Sequence, residues 1–203
     1  MTRQDRTPEL QAFLDAALAA FDAHATSDEA RAALGRIRAG LDTPAPLREV
    51  TPGRQPTCRW LEPALDHAAE APGLRPMLDA FRALEPGLEW SCDKPDNPTA
   101  SENFSESHAE VMIVGPGGME PRQDVWLGLS LLAPGVRYPD HSHRPEEVYL
   151  VLSEGDFRQG EDPWFTPGPG GSFYNRPSIL HAMRSGKDPL FAFWALWNEP
   201  AAA

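Results

Sequence analysis

Four residues in the second half of the chain have the types and spacing of a metal site. His141 and His143 are separated by one residue, and Glu147 follows shortly after them. Because side chains alternate along an extended strand, the two imidazoles point to one side and converge inside a barrel. His181 lies far enough along the chain for several strands to intervene before a return to the same cavity. Three imidazoles and one carboxylate suit one divalent ion such as Zn²⁺, Fe²⁺, Mn²⁺, Co²⁺ or Ni²⁺, with positions left for water or substrate.

Tyr149 is the other chemically suggestive residue of this region. It stands two residues beyond Glu147, so on a regular strand it faces the same cavity. A tyrosine in that place is either a proton-transfer group or a core residue whose hydroxyl is hydrogen bonded. The neighbouring metal pattern favours the first reading.

The second half of the chain has the residue pattern that is typical of consecutive antiparallel strands. Short apolar or alternating runs are separated by Gly, Pro, Asn and Asp. The segment 91–107 is polar and contains two prolines, which predicts a long loop or a lid. The predicted strands are 109–114, 125–133, 147–152, 171–174, 179–184 and 190–197.

The first half carries helix periodicity instead. Thr7-Pro8-Glu9 supplies an N-cap, a proline at the first helical position and an early acid, which predicts a helix over about 8–24. Thr26 and Glu29 have the spacing of a capping box for a second helix, closed by Gly40 and Pro44. Apolar spacings predict a third helix near 61–69 and a fourth near 74–84. We therefore expect a helical region over 1–87 packed on a β-barrel over 88–198.

Charge and composition exclude several classes of partner. Eighteen basic against thirty acidic residues give a net charge of −12, and the basic residues do not cluster, so we expect no nucleic acid partner. The apolar run 190–197 is too short to cross a bilayer and the first residues lack a secretory signal pattern, so we expect no membrane association and a cytoplasmic location. Cys58 and Cys92 do not make a disulfide framework.

The metal residues form part of a wider pattern that resembles the cupin superfamily. The first cupin motif, G-x5-H-x-H-x3-E, is present from Gly135 to Glu147. The second motif is present in part, as Gly171-x5-Pro177 followed by His181, with one residue fewer between the proline and the histidine than the motif has. The resemblance covers about residues 108–198 and implies a mainly β, double-stranded β-helix barrel.

Within the cupins, the chain is similar to the cupin-type dimethylsulfoniopropionate (DMSP) lyases. The segment from Tyr138 through His141, His143 and Glu147 to Tyr149, followed by His181 and preceded by helices, carries this resemblance. It implies that His143, Glu147 and His181 bind the metal, joined by His141 as in several members of the family. It also implies that Tyr149 removes the substrate's α-proton and that Tyr138 assists substrate binding or proton transfer.

The expected reaction is a β-elimination that converts DMSP to dimethyl sulfide and acrylate. The substrate is a zwitterion whose carboxylate can ligate the metal, and the ion stabilises the charge that develops when the α-proton leaves. Aromatic faces attract sulfonium cations by about 0.5–2 kcal/mol. Trp194 and Trp197, both in a predicted strand, are therefore expected to bind the dimethylsulfonium end.

Two other functions fit the same ligand set. One is an Fe²⁺-dependent cupin dioxygenase, and the other is a non-enzymatic cupin that binds a sugar or a small acid. The pair Tyr149 and Tyr138 favours elimination, since oxygen insertion does not require it. The sequence is compatible with a monomer or a homodimer.

Overall fold

The computed structural model describes residues 6–92 and 97–200 and shows helices followed by strands. Two short 3-10 helices, Pro56–Trp60 and Glu85–Gly87, flank the third and fourth α-helices. No helix in these two ranges has both the length and the apolar character needed to cross a bilayer. The α-helices are α1 (Pro8–His24), α2 (Asp28–Leu41), α3 (Leu61–Ala68), α4 (Arg75–Leu84) and α5 (Phe104–Ser107).

The first two helices begin at side-chain caps. The Thr7 hydroxyl accepts a hydrogen bond from the Leu10 N–H, as the sequence predicts for α1. In α2 the cap is Ser27, whose hydroxyl accepts from the Ala30 N–H, so the predicted capping box at Thr26 is wrong. Gly40 does not end α2 either, because the helix continues to Leu41.

Gly40 has a packing role instead. A Cβ atom built on it would lie 2.8 Å from Cγ2 of Val125 and 3.3 Å from the Trp197 ring. The missing side chain therefore allows α2 to approach the sheet closely.

Within the described part of the chain, eight strands form two antiparallel sheets. The larger sheet has the order β1-β2-β8-β4-β6, and the smaller has the order β3-β7-β5. Of these, β3 and β5 were absent from the predicted strands. The strands are β1 (His108–Val114), β2 (Val125–Leu132), β3 (Arg137–His141), β4 (Glu146–Val151), β5 (Asp156–Gln159), β6 (Ser172–Asn175), β7 (His181–Arg184) and β8 (Leu190–Trp197).

The larger sheet separates two apolar regions. On its outer face, Phe193 packs against Phe13 and Phe21 of α1 with ring centroids 5.5 and 5.0 Å apart. Its inner face looks towards the smaller sheet, where Trp194 and Tyr149 belong to a second buried cluster. The alternation of side chains along β8 produces this division. A mainly β, cupin-type barrel with an N-terminal helical layer is thus confirmed, while the division into domains at residue 87 stays a prediction.

The segment 91–107 is partly anchored to the barrel. Ser91 exchanges two backbone hydrogen bonds with Glu110 of β1, of 2.8 and 2.9 Å. The segment ends in α5, where Phe104 is buried. Residues 93–96 of the predicted loop or lid lie outside the described residues, and the lid stays a prediction.

Candidate active site

Three predicted metal ligands come together where the two sheets meet. His141 ends β3, His181 begins β7, and the two residues pair directly across these strands. His143 lies in the loop between β3 and β4. The ring centroid of His181 is 4.0 Å from that of His141 and 5.0 Å from that of His143. One ligand nitrogen from each ring lies within 4.8 Å of the other two.

Backbone carbonyls fix the orientation of all three imidazole rings. The Nδ1 atom of His141 lies 2.9 Å from the Pro139 oxygen, and Nδ1 of His143 lies 2.9 Å from the Pro145 oxygen. The Nδ1 atom of His181 lies 3.0 Å from the Ile179 oxygen. A carbonyl can only accept, so in the neutral rings each Nδ1 carries the proton and each Nε2 presents a lone pair. Metal-binding histidines are commonly oriented in this way.

Glu147 brings its carboxylate to the same point. Its Oε2 atom lies 3.4 Å from Nε2 of His143 and 3.3 Å from Nε2 of His181. Ligand atoms about 2.0–2.2 Å from a shared tetrahedral ion are about 3.3–3.6 Å apart, so the spacing fits two ligands of one ion. Asn175 orients the carboxylate by donating to Oε2 at 2.8 Å, and Gln159 donates to Asn175 Oδ1 at 2.6 Å.

The electrostatics of the cluster suit a bound cation. Burial and the neighbouring His181 lower the pKa of His141 to about 4, so this ring is neutral near pH 7. Burial raises the pKa of Glu147, but contacts with the two other imidazoles outweigh it and lower the pKa overall. Burial likewise lowers the pKa of His143, yet the hydrogen bond and charge of Glu147 raise it overall.

Nε2 of His181 gives an independent test of whether these residues fit a metal ion. This atom is buried and makes no hydrogen bond within the described part of the chain. It lies 3.3 Å from Oε2 of Glu147, which is an electrostatic contact that lacks the geometry of a hydrogen bond. A buried polar nitrogen normally has a partner, and a metal ion at this point would provide one. The residues present therefore fit a divalent ion.

Tyr149 lies beside the cluster on the inner face of β4. Its ring stacks on Phe173 with a centroid distance of 5.1 Å, and its cross-strand neighbour on β8 is Trp194. Burial raises the pKa of the Tyr149 hydroxyl well above its usual value, and the charge of Glu147 raises it further. Tyr149 and Glu147 both line the same cavity, so the hydroxyl and the carboxylate belong to one site.

Tyr138 reaches the cavity because β3 is irregular. The pairing of β3 with β7 shifts register between Tyr138 and His141, so two residues at an odd spacing both face inward. The Tyr138 ring lies 4.8 Å from the His141 ring and makes an edge contact with Phe104 at 5.0 Å.

The two tryptophans occupy different faces of β8. Trp194 lines the cavity beside Tyr149, whereas Trp197 packs on the side of the helical layer. The positions differ by three, so on a regular strand they must point in opposite directions. The structure therefore does not bring Trp197 to the cavity as predicted.

The cavity itself has a volume of about 660 Å³. It is large enough for a small zwitterion. Besides the metal cluster it contains Glu110 of β1, which the sequence reading missed. The available signal was the alternation of β1, since Glu110 stands between the buried residues Ala109 and Val111.

The loop before His181 shows how the shortened second motif is accommodated. Ser178 has φ 59°, a left-handed conformation. Its N–H donates to the His143 oxygen at 2.9 Å, and the Ile179 N–H donates to the Arg176 oxygen at 3.2 Å. A tight turn with Pro177 at its second position and a left-handed third residue therefore aligns the loops that carry two of the predicted metal ligands.

The fold and this cluster define a cupin-type barrel with a three-histidine, one-glutamate site. Residues 29–192, more than half of the chain, match the family model described as dimethylsulfoniopropionate lyase. The chain belongs to this family of lyases.

Individual relatives agree with the family assignment. The dimethylsulfoniopropionate lyase DddQ of Ruegeria pomeroyi is 28% identical over 157 residues, which cover 77% of this chain and 75% of that protein. The putative dimethylsulfoniopropionate lyase DddL of Cereibacter sphaeroides is 27% identical over 135 residues, or 66% of this chain. This chain spans 56% of the length of DddL.

Two solved structures have the same fold over almost the whole chain. The crystal structure of DMSP lyase DddQ from Ruegeria pomeroyi superposes with a TM-score of 0.68 at 22% identity, covering 98% of this chain and 95% of the other. A chain from the crystal structures of the DMSP lyases RdDddP and RnDddQII superposes with a TM-score of 0.66 at 23% identity, covering 95% of this chain and 94% of the other. These similarities include the helical layer as well as the barrel.

Proposed function

We propose that this protein is a metal-dependent lyase that cleaves DMSP to dimethyl sulfide and acrylate, with Tyr149 as the general base. One observation carries the proposal. In a chain of the DMSP lyase family, three imidazoles held by backbone carbonyls converge with the Glu147 carboxylate. Two of these imidazoles and Glu147 line one cavity together with the buried Tyr149. The family and its relatives supply the substrate, and the arrangement of side chains supplies the chemistry.

The metal ligands in this proposal are His141, His143, Glu147 and His181. A divalent ion bound there would supply positive charge that attracts the substrate carboxylate, stabilises the charge formed at the α-carbon and lowers the pKa of Tyr149. The ligand set accepts Zn²⁺, Fe²⁺, Mn²⁺, Co²⁺ or Ni²⁺. Asn175 keeps the Glu147 carboxylate aimed at the imidazoles through its hydrogen bond of 2.8 Å.

Tyr149 then performs the proton transfer. Its phenolate oxygen takes the α-proton, and the electron pair of that C–H bond forms the new double bond. The bond between the β-carbon and sulfur breaks, and its electron pair leaves with dimethyl sulfide. Acrylate retains the carboxylate, and the abstracted proton returns from Tyr149 to solvent. No oxidant or reductant takes part.

The burial of Tyr149 makes metal dependence a requirement of this scheme. Without a cation the pKa of this hydroxyl is raised well above 10, so the group is protonated near neutral pH. A protonated phenol cannot accept the α-proton. Activity should therefore vanish when the site is emptied, even though Tyr149 stays in place.

Tyr138 and Trp194 complete the proposed site. The Tyr138 ring lies beside His141, where its hydroxyl can bind the substrate carboxylate or assist proton transfer. The Trp194 indole lies on the inner face next to Tyr149 and can bind the sulfonium cation. Trp197, which packs on the helical side, has no part in this proposal.

Metal removal and reconstitution test the proposal. Protein treated with a chelator should release no dimethyl sulfide from DMSP, and stoichiometric addition of one suitable divalent ion should restore release. His181→Ala should lose both bound metal and activity, whereas His67→Ala, on the exposed side of α3, should lose neither. Full activity in chelated, metal-free protein would overturn the metal-dependent mechanism.

A further inference from the structure

We infer that Glu110 is a specificity-determining residue that recognises the positive charge of the substrate's leaving group. This inference rests on the proposed function, because it assigns the two ends of a zwitterion to two ends of one site. The substrate carboxylate belongs with the histidine cluster. The carboxylate of Glu110 supplies the opposite charge for the cationic end.

The position of Glu110 on β1 directs its side chain into the barrel. Its neighbours Ala109 and Val111 are fully buried in the core shared with the helices. Side chains alternate along a strand, so Glu110 points to the other face, together with Met112, which packs against the inner cluster. Glu110 accordingly lines the cavity and is half-buried there.

The strand register places Glu110 close to a fixed aromatic surface. Its partner on β2 is Ser130, whose hydroxyl accepts a hydrogen bond of 3.0 Å from Nε1 of Trp194. The indole lies against Gly128, where an added Cβ atom would be 2.2 Å from Cη2 of Trp194. Ser130 and Gly128 thus hold the indole on the inner face beside Glu110. A carboxylate next to an aromatic face is suited to an organic cation.

The pairing of the strands also determines which part of the substrate each side chain can contact. Tyr149 is the cross-strand partner of Trp194, and Glu147 precedes Tyr149 by two residues on the same face. Glu110 and Tyr149 line the same cavity, so this carboxylate belongs to the same site as the proposed base. A substrate with its α-carbon at Tyr149 and its carboxylate towards the histidines directs its sulfur towards Trp194 and Glu110.

The reaction determines which kinetic constant Glu110 should affect. Sulfur is positive in the substrate and neutral in dimethyl sulfide, so its attraction to Glu110 weakens as the bond to carbon breaks. An interaction that is stronger in the ground state than in the transition state favours binding without increasing kcat. Glu110 should therefore lower KM for the cationic substrate, and the neutral product should leave without that attraction.

Glu110→Gln tests this role with little change of shape. We expect KM for DMSP to rise by about tenfold while kcat stays equal or increases. Glu110→Asp keeps the charge on a shorter side chain and should give a smaller rise in KM. Glu154→Gln, an exposed carboxylate outside the cavity, serves as the matched control and should leave both constants unchanged. Metal content and the unfolding midpoint verify that each variant is intact.

Calorimetry with two non-reacting analogues separates charge recognition from catalysis. The first, called the cationic analogue, is 3-(trimethylammonio)propanoate, a zwitterion with a cationic ammonium end. The second is 3-(methylthio)propanoate, which has a carboxylate and a neutral sulfur. Glu110→Gln should weaken binding of the cationic analogue by about tenfold and leave the neutral one unchanged. Suppose that the wild type cleaves DMSP but Glu110→Gln leaves the ratio of the two analogue affinities unchanged. That result would overturn the inference and leave the lyase assignment intact. If the wild type released no dimethyl sulfide, the lyase assignment would fail, and the analogue ratio would still decide the role of Glu110.

Discussion

Replacing Tyr149 with phenylalanine removes one oxygen atom and leaves the surrounding packing in place. The ring stacks on Phe173 at 5.1 Å and contacts Phe157 at 5.4 Å, and phenylalanine can keep both contacts. The deleted hydroxyl is the group assigned to accept the α-proton. Tyr149→Phe should therefore separate catalysis from folding and from metal binding.

The expected magnitudes follow from these contacts. Removal of a positioned general base costs about 10²–10⁴-fold in rate, or about 2.7–5.4 kcal/mol in the activation barrier. Loss of one buried hydroxyl should change the free energy of unfolding by no more than about 1–3 kcal/mol. The loss should fall on kcat more than on KM, since the hydroxyl acts in the transition state.

The chain offers a matched control for this substitution. Tyr174 lies on the neighbouring strand β6, but its hydroxyl faces outward and donates to Glu146 at 2.7 Å. Tyr174→Phe should keep nearly full activity. For wild type and both variants, headspace dimethyl sulfide gives the rate, elemental analysis gives the metal content and thermal denaturation gives the stability.

A second readout isolates the proton transfer. In D₂O, wild-type protein should exchange deuterium into the α-carbon of 3-(methylthio)propanoate, which is a poor substrate for elimination, and Tyr149→Phe should not. Near-normal lyase activity in Tyr149→Phe that contains metal would refute the assignment of the base. The proton acceptor would then have to be another group.

Three further outcomes are expected. Asn175→Ala should weaken metal affinity by about 10–100-fold in a chelator competition, because the Glu147 carboxylate loses its orienting donor; an unchanged Kd would contradict this role. In metal-free protein, the pKa of His141 is lowered from 6.5 to about 4. The contribution of His141 to the free energy of unfolding is therefore fully present above pH 6.5 and decreases by about 3 kcal/mol as the pH falls to 4. Urea unfolding should show a smaller acid loss in His141→Gln than in wild type, and equal losses would count against the shift. Ser178→Gly should raise the Tm by about 1–3 °C, since glycine adopts the φ of 59° without strain, and a lower Tm would argue against strain there.

The sequence predicted the elements whose side chains follow a simple apolar pattern. The predicted strand 190–197 and helix 8–24 agree with the observed bounds, since each combines a continuous pattern with clear signals at its ends. The strand β3 was missed because Arg137–His141 is polar and contains Pro139. The strand β5 was missed because its sequence Asp156–Gln159 contains a single apolar residue, Phe157, and so shows no apolar run or alternation.

The candidate site was predictable where the spacing of residues determines direction. Glu147 and Tyr149 are two apart on β4 and share a face. His143 lies in the loop after β3, so it meets His141 through the course of that loop and not through strand alternation as predicted. The same rule, applied to β8, would have placed Trp197 away from the cavity.

Other parts of the site depend on contacts between distant segments. Asn175 faces Glu147 only because β6 pairs with β4, and Glu110 lies near Trp194 only because β2 pairs with both β1 and β8. Such pairings join segments far apart in the chain and cannot be obtained from local patterns. They explain why the sequence predicted the candidate metal ligands but not Glu110.

The products formed under anaerobic conditions test the central claim most directly. Metal-loaded protein should convert DMSP to dimethyl sulfide and acrylate in equal amounts with oxygen excluded, because elimination needs no oxidant. Gas chromatography of the headspace and liquid chromatography of the solution measure the two products in one sample. A one-to-one yield without oxygen is the result we expect. The absence of both products, or a requirement for oxygen, would contradict a lyase that acts through Tyr149 and the histidine cluster.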